Sequence, residues 1–250
     1  MSQQFKTHEN SKYLLVIPVL NELKYFAKVL ARIDFLKLDE LLDILVVDGG
    51  SDDGTYEIAS SHKRIKFTLQ NDGKNQVSGQ LQDAYNFSLQ YGYKGVITID
   101  GNLKDDPRFV KDYLEHLEKG YDYIQGSRFM PGGESINLPI SRKYLIKFLH
   151  APLMTRFSGF EYSDSTQGFR GYSRSLLEDS NLNIFTNKLK RYQLLLWISL
   201  IAPKLGFNTI EIPNTRSYPE GSFPTKLNIT NIFLYLLDII RLITRSRKFK

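Results

Sequence analysis

Three apolar runs in the first hundred residues constrain the fold more than any other feature of the chain. They occupy residues 13–17, 41–47 and 95–99 and are rich in Val, Ile and Leu, as buried strands are. Helical spacing of apolar residues between them predicts helices over residues 22–33 and 75–90. Strands that alternate with helices form a mostly parallel, doubly wound sheet. The sequence therefore predicts an α/β fold with helices flanking one central sheet.

Each of these runs ends in a polar loop that contains glycine or proline. Asp48 is followed by Gly-Gly-Ser-Asp-Asp-Gly, and Asp100 is followed by Gly101, Asn102 and Lys104. Since ligands of open α/β sheets bind outside the carboxyl ends of the strands, we expect these loops to share one site. Each loop taken alone is also compatible with a plain acidic surface turn.

Prolines and small polar residues predict where these elements begin and end. Pro18 is expected to end the first strand, and Asn21 is expected to be the N-cap of the helix that follows. A later helix is predicted over residues 140–157, and Pro152 should kink or interrupt it.

Composition and charge exclude several classes of protein. A chain of 250 residues can form one α/β domain, and the absence of cysteine excludes disulfides and thiolate metal sites. The first ten residues lack the apolar core of a signal peptide, so we expect a cytoplasmic protein. Residues 241–250 contribute +5 of the formal net charge of +6. A nucleic-acid groove would spread its cations over a face, so no nucleic-acid partner is expected.

The C-terminal residues predict an amphipathic helix. Apolar residues dominate from residue 229 to 243, but Asp238 and Arg241 interrupt them. At about 1.5 Å per residue this run is too short to cross a hydrocarbon core of about 30 Å. We expect residues 227–250 to form a membrane-interface helix with a basic tail, attracted to anionic lipid and separate from a catalytic domain over residues 12–226. The alternative is a helix docked on the protein's own core or on a second copy of the chain.

Three motifs taken together resemble a known enzyme family. Ile-Pro-Val-Leu-Asn-Glu at residues 17–22, Val-Val-Asp-Gly-Gly-Ser-Asp-Asp-Gly-Thr at residues 46–55 and the Asp100 loop resemble family 2 glycosyltransferases of GT-A fold. The resemblance implies a Rossmann-like GT-A sheet. Further matches to the dolichyl-phosphate mannose synthase branch lie at residues 126–128, Arg142, residues 168–170, Arg216 and Lys226. Members of that branch transfer a sugar from a nucleotide diphosphate to a polyprenyl phosphate.

The resemblance implies a role for each matched position. The base and ribose of the donor would contact Pro18, Leu20, Glu22, Val47 and Asp48. Asp100, with or without Asn102, would lie at the diphosphate and hold a metal ion. Guanidinium and ammonium groups suit the phosphates of donor or acceptor, and these would come from Arg128, Arg142, Arg216 and Lys226.

The chain also departs from the family pattern. Gly49 replaces the second aspartate that usually contacts the base, and Asn102 and Lys104 replace usual metal ligands. We expect Lys104 to supply part of the positive charge of Mg²⁺ or Mn²⁺, which makes metal dependence weak. Asp105 or Asp106 is an alternative ligand, although an N-cap role before Pro107 is the more ordinary use.

A carboxylate of direct catalytic use is also predicted. Asp164 is best placed to act on or orient the acceptor, and the alternative is a cap of its own loop. With Asp100, Lys104 and Arg128 it completes the predicted catalytic set of an inverting glycosyltransferase. This enzyme would act at the cytoplasmic membrane face in surface polysaccharide or glycolipid assembly. The alternatives are transfer to a hydroxyl of a soluble glycan and a nucleotide-sugar-binding protein without turnover.

Overall fold

A computed structural model describes residues 12–218 and 229–249 of the chain. Nine strands are described: β1 (Tyr13–Val19), β2 (Asp43–Asp48), β3 (Phe67–Gln70), β4 (Gly95–Thr98), β5 (Tyr123–Ser127), β6 (Glu134–Ile136), β7 (Arg170–Ser173), β8 (Thr209–Pro213) and β9 (Thr215–Ser217). The described α-helices are α1 (Leu23–Leu36), α2 (Thr55–Ser60), α3 (Val77–Gln90), α4 (Val110–Glu118), α5 (Ile140–Leu145), α6 (Ala151–Ser158), α7 (Arg174–Glu178), α8 (Gln193–Lys204) and α9 (Ile229–Ser246). Short 3-10 turns lie at Leu38–Glu40 and Pro107–Phe109, and a π-helical turn at Ile146–His150 joins α5 to α6.

The central sheet has seven strands in the order β3-β2-β1-β4-β7-β5-β8. All neighbours pair in parallel except β7, which is antiparallel to both β4 and β5. Strands β6 and β9 form a separate two-stranded parallel sheet. The predicted mostly parallel α/β sheet is confirmed, and the carboxyl ends of β1, β2 and β4 lie side by side.

Alternation along the strands divides the core between the two faces of the sheet. Leu14 and Val16 face one apolar cluster, whereas Leu15 and Ile17 face the other. The first cluster includes residues of α3, α8 and α9, and the second includes residues of α1 and α4. The helices therefore cover both faces, as the continuous apolar runs of buried parallel strands require.

Two predictions at the start of the chain are wrong. β1 runs through Pro18 to Val19, because β1 and β4 are paired only as far as Val16 and Thr98 and no ladder bond is lost at the proline. Asn21 is not the N-cap of α1, which begins one residue later than predicted. Its cap comes from another loop, since the Leu23 amide donates to Asp53 Oδ2 at 3.0 Å.

Predictions for two later helices are confirmed. Asp106 caps the turn that begins at Pro107, where its carboxylate accepts the Arg108 amide at 3.0 Å. The segment 140–158 is helical but interrupted, because the π-helical turn ends just before Pro152. This turn re-satisfies backbone groups around a proline that lacks an amide donor.

One face of α9 packs inward, whereas Ile240 and Arg241 on its other face are exposed. Ile239, Leu242 and Ile243 are buried in the cluster that contains α8, and Asp238 is buried where it accepts from Arg191 at 2.6 Å. This half of α9 matches the docked alternative of the sequence analysis. Membrane contact of residues 227–250 stays a prediction. Within the described ranges, no helix combines the length and apolar character needed to cross a bilayer.

Candidate active site

The loop after β2 is shaped by the carboxylate of Asp48. Asp48 is fully buried, and its Oδ2 accepts from the amides of Gly50 and Ser51, both at 2.9 Å. Its Oδ1 accepts from the Ser51 hydroxyl. Asp48 therefore shapes its own loop through these bonds, and its predicted contact with a ribose stays a prediction.

The predicted base and ribose positions do lie at the ends of β1 and β2. Pro18, Leu20 and Glu22 are partly exposed at this edge, whereas the Val47 side chain is buried in the core. A methyl group on Gly101 would lie 2.5 Å from Val19 Cγ1 and 3.2 Å from Glu22 Oε2. Glycine at position 101 therefore lets the Asp100 loop pack directly against the end of β1.

The side chain of Gln80 lies beside Gly49, the position where the family pattern has an aspartate. A Cβ at residue 49 would lie 3.1 Å from Gln80 Nε2. That nitrogen donates to the carbonyls of Val19 and Val47, each at 2.8 Å. Gln80 thus ties the ends of β1 and β2 together beside Gly49.

Asp100 and Asp105 share one arginine. Arg216 Nη2 lies 2.6 Å from Asp100 Oδ2, and its Nη1 contacts Asp105 Oδ1. Asp105 Oδ2 also accepts the Asp100 amide at 2.9 Å. Backbone pairing brings Arg216 here, because the Ser217 amide donates to the Lys104 carbonyl at 2.9 Å.

Burial and Arg216 act in opposite directions on these two acids. Burial alone would raise the pKa of Asp100, but Arg216 outweighs it and the pKa lies below its ordinary value. Burial prevails at Asp105, whose pKa is raised despite the same guanidinium. Asp105 is thus a buried partner of Arg216, and Asp106 rather than Asp105 caps the turn at Pro107.

Two further cations stand over the ring of Tyr218. Lys104 Nζ is 5.7 Å and the Arg142 guanidinium is 5.6 Å from the ring centroid. Burial, followed by the charge of Arg216, lowers the pKa of Lys104, and Asp100 opposes this shift. Neither Lys104 nor Arg142 forms a salt bridge within residues 12–218.

Arg128 and Asp164 form a fully buried ion pair. Arg128 Nε lies 2.7 Å from Asp164 Oδ2, and Nη2 lies 3.1 Å from Oδ1. Arg128 Nη1 also donates to the Tyr218 hydroxyl at 2.9 Å. Burial would raise the pKa of the Tyr218 hydroxyl, but the charges of Arg128 and Arg216 lower it. Tyr218 therefore links the Arg128–Asp164 pair to the ion pairs of Arg216.

The Asp164 carboxylate is saturated with donors. Besides Arg128 it accepts from Thr166 and from Gln167 Nε2, the latter at 2.9 Å. Burial would raise its pKa, but the Arg128 charge and these bonds lower it to about 2. A carboxylate that is ionised, buried and fully bonded is not a general base, so this geometry favours positioning of Arg128.

The structure therefore gathers most of the predicted catalytic and phosphate-binding residues. We call Lys104, Arg128, Arg142 and Arg216 around Tyr218 the cationic cluster. Lys226 lies outside the described residues. Sequence reasoning missed Tyr218, and it also missed Glu211, which accepts from the Ser163 and Asp164 amides at 2.8 and 2.9 Å and so holds the Asp164 loop. An aromatic residue two positions after Arg216 was the only signal for Tyr218.

The oxygen donors near Asp100 do not fit a divalent cation as they stand. Asp100 Oδ2 accepts from Arg216, and Asn102 Oδ1 accepts the Lys104 amide at 3.2 Å. Asp106, the other alternative ligand, pairs with Arg108 at 2.6 Å. No group of three or more His, Cys, Asp or Glu suited to a metal occurs in the part of the chain that the structure describes.

Comparison with known proteins identifies related sequences. The model of the family described as "Glycosyl transferase family 2" matches residues 14–180. A polyprenol monophosphomannose synthase from Mycolicibacterium smegmatis is 29% identical over 81% of this chain and 76% of its own length. An undecaprenyl-phosphate mannosyltransferase from Micrococcus luteus is 27% identical over 82% of this chain and 83% of its own length.

Solved structures share the fold. Glucosyl-3-phosphoglycerate synthase from Mycobacterium tuberculosis, solved with Mn²⁺, UDP and glucosyl-3-phosphoglycerate, superimposes with a TM-score of 0.67 at 14% identity. The match covers 94% of this chain and 80% of that one. The predicted GT-A fold is confirmed.

Proposed function

The chain belongs to glycosyl transferase family 2, and we propose that this glycosyltransferase transfers a sugar from a nucleotide diphosphate to a polyprenyl phosphate or a lipid-linked saccharide, with inversion at the anomeric carbon. The names of the two bacterial relatives support a polyprenyl phosphate acceptor and a hexose donor. The observation that carries the proposal is the cationic cluster at the carboxyl edge of the sheet, around Tyr218.

The cluster suits a reaction whose leaving group is a diphosphate. Negative charge grows on the diphosphate as the glycosidic bond breaks, so fixed cations stabilise the transition state more than the ground state. Lys104 and Arg142 are the two members that form no salt bridge with the described residues, so we infer that their charge is available to phosphate oxygens. Arg128 and Arg216 are anchored by buried carboxylates and hold Tyr218 in place.

The state of the carboxylates favours a phosphate acceptor over a hydroxyl. Asp100, Asp105 and Asp164 are each ion-paired with an arginine. A hydroxyl acceptor needs a base within hydrogen-bond reach, whereas a phosphate is already an anionic nucleophile. Alignment of this oxygen behind the anomeric carbon is then the main requirement, and it produces inversion.

We further propose weak dependence on a divalent metal. The M. tuberculosis structure contains Mn²⁺ with UDP, and by family resemblance Asp100 and Asn102 are the positions that would hold such an ion. In this chain Arg216 already neutralises Asp100, and Lys104 stands beside it. These two side chains supply positive charge where the metal would otherwise supply it, and a bound ion would act only as an additional Lewis acid.

A transfer assay tests the main proposal. UDP, GDP, TDP and CDP sugars are offered with a short-chain polyprenyl phosphate, and the matching polyprenol serves as the hydroxyl control. We expect product from the phosphate and none from the alcohol. Donor binding without turnover on any acceptor would support a nucleotide-sugar-binding protein that is not an enzyme. Product from a soluble glycan would support a glycosyltransferase with a hydroxyl acceptor.

The metal proposal has its own test. Transfer in EDTA should retain a substantial fraction of the rate measured in Mn²⁺, and Lys104→Ala should make the enzyme more dependent on Mn²⁺. Complete loss in EDTA together with a normal Lys104→Ala enzyme would refute the role of Lys104.

A further inference from the structure

A second surface of the molecule has a composition that the fold does not explain. In the segment formed by α5 and the π-helical turn, Ile140, Tyr144 and Phe148 are 73%, 57% and 71% exposed, and Leu149 is 38% exposed. The rings of Tyr144 and Phe148 stack with centroids 5.6 Å apart. We call these four side chains the apolar ridge.

The ridge is held in a fixed orientation by the opposite side of the same segment. Ile146 and His150 are each only 3% exposed. His150 Nε2 lies 2.9 Å from the Ser165 hydroxyl, one residue after Asp164. Single exposed apolar residues are ordinary, but a contiguous set on an anchored helix is typical of an interaction surface.

The charge around the ridge indicates which partner it binds. Residues 135–160 contain no acid and four cations, namely Arg142, Lys143, Lys147 and Arg156. An isologous contact between two copies would place these cations opposite each other, which opposes dimerisation through this face. Anionic lipid headgroups offer the complementary charge, and aromatic and aliphatic side chains enter the interface below them.

The ridge also adjoins the candidate active site. A cavity of about 450 Å³ lies beside it, and its lining includes Ile140, Lys143 and Lys147 of the ridge segment together with Arg128, Phe129 and one acid, Glu134. Lys147 Nζ stands 5.2 Å from the centroid of the Phe129 ring. A phosphate at the level of the headgroups is therefore close to the cationic cluster when the ridge is inserted.

We propose that the apolar ridge of residues 140–149 inserts into the headgroup region of an anionic bilayer and presents the active site to phosphates at its surface. This inference rests on the proposed function, since it concerns how that enzyme reaches a lipid acceptor. It also assigns membrane contact to α5 and its π-helical extension, whereas Ile239, Leu242 and Ile243 of α9 are buried in the core and Ile240 is its exposed apolar residue among those whose burial is described.

Co-sedimentation of the full chain with vesicles tests the surface. Vesicles of phosphatidylcholine with phosphatidylglycerol are compared with phosphatidylcholine alone, for the wild type and for a variant carrying Ile140→Ser, Tyr144→Ser and Phe148→Ser. We expect the variant to partition about tenfold or more weakly into anionic vesicles, and the wild type to bind neutral vesicles less than anionic ones. The matched control is Phe35→Ser, because Phe35 is 86% exposed on α1, on the other side of the sheet.

Activity separates this inference from the proposed function. The ridge variant should keep wild-type transfer to a short-chain, water-soluble polyprenyl phosphate and lose about tenfold on a long-chain acceptor embedded in vesicles. If neither protein uses a phosphate acceptor but the ridge variant still loses vesicle binding, the proposed transfer to a polyprenyl phosphate is refuted. The proposed membrane contact of the ridge is then still supported.

Three results would overturn the inference. The first is vesicle binding by the ridge variant equal to wild type, with thermal unfolding confirming that both are folded. The second is an equal loss in the Phe35→Ser control. The third is a lipid-free wild-type dimer that the ridge substitutions convert to a monomer, since this would make a second copy the partner.

Discussion

Replacing Asp164 with asparagine should destabilise the protein strongly, although the two side chains have nearly the same shape. Arg128 and Asp164 are 1% and 0% exposed and are joined by two short contacts. Asparagine removes the negative charge and leaves the guanidinium buried beside the Tyr218 and Thr166 hydroxyls. Loss of one partner of a buried pair typically costs about 3–5 kcal/mol.

The pKa of Asp164 gives an independent scale for the same effect. A shift from 3.8 to about 2 means that Arg128 and the hydrogen bonds outweigh burial by roughly 2 kcal/mol. Because the folded-state pKa is the lower one, this stabilisation is complete above pH 3.8 and is lost as the pH falls through about 2. At pH 7 we therefore expect Asp164→Asn to lower the free energy of unfolding by about 3 kcal/mol.

Urea unfolding followed through the fluorescence of Trp197 measures this change, since Trp197 is the single tryptophan and is fully buried. Thr166→Val is the matched control: it keeps both charges, removes a hydroxyl that donates to Asp164 and accepts from Arg128, and should cost less, about 1–2 kcal/mol. Replacing both charges, as in Arg128→Met with Asp164→Leu, should recover stability but not transfer. A loss below about 1 kcal/mol for Asp164→Asn would refute the reasoning.

Three further predictions follow from contacts in and behind the site. Burial lowers the pKa of His150 to about 4, so the unfolded state takes up the proton first and stability should fall by about 3 kcal/mol between pH 6.5 and pH 4. Urea unfolding across this range should show no such component in His150→Gln, and parallel pH profiles would contradict the burial argument. Gly168→Ala places a methyl group 2.6 Å from Asp100 Oδ1, and displacement of this carboxylate from Arg216 should slow transfer by about tenfold with little change in the urea midpoint. Arg216→Met leaves Asp100 and Asp105 without their shared cation, so a thermal shift by Mn²⁺ should be larger than in the wild type; an equal shift would show that Arg216 does not oppose metal binding.

Local sequence patterns predicted the sheet and the position of its functional edge. The end of a β-branched run at Asp100 places that residue at the carboxyl edge whatever the remainder of the chain does. The predictions that Pro18 ends β1 and that Asn21 caps α1 were wrong, because the effect of each residue depends on which segment lies next to it. Pro18 lies past the paired part of β4, and Asp53 caps α1 from another loop.

The partners of the charged residues were beyond the reach of sequence reasoning. Arg216 meets Asp105 across 111 positions in the chain, and nothing local distinguishes Asp105 from an N-cap. The saturation of Asp164 likewise depends on Arg128, 36 positions away. An amphipathic pattern also does not indicate what its apolar face contacts. The packing of α9 against the core and the exposure of apolar residues on α5 were therefore seen only in the structure.

The most direct test of the role of the cationic cluster is the kcat/KM for transfer to a short-chain polyprenyl phosphate by a variant with Lys104→Met and Arg142→Met. These side chains carry the charge of the cluster that no acid in the described part of the chain neutralises, so we predict a loss of about 100-fold or more. Arg32→Met, which removes an exposed arginine of α1, should transfer at the wild-type rate. A double variant within about twofold of the wild type would contradict the assignment of the diphosphate to this cluster.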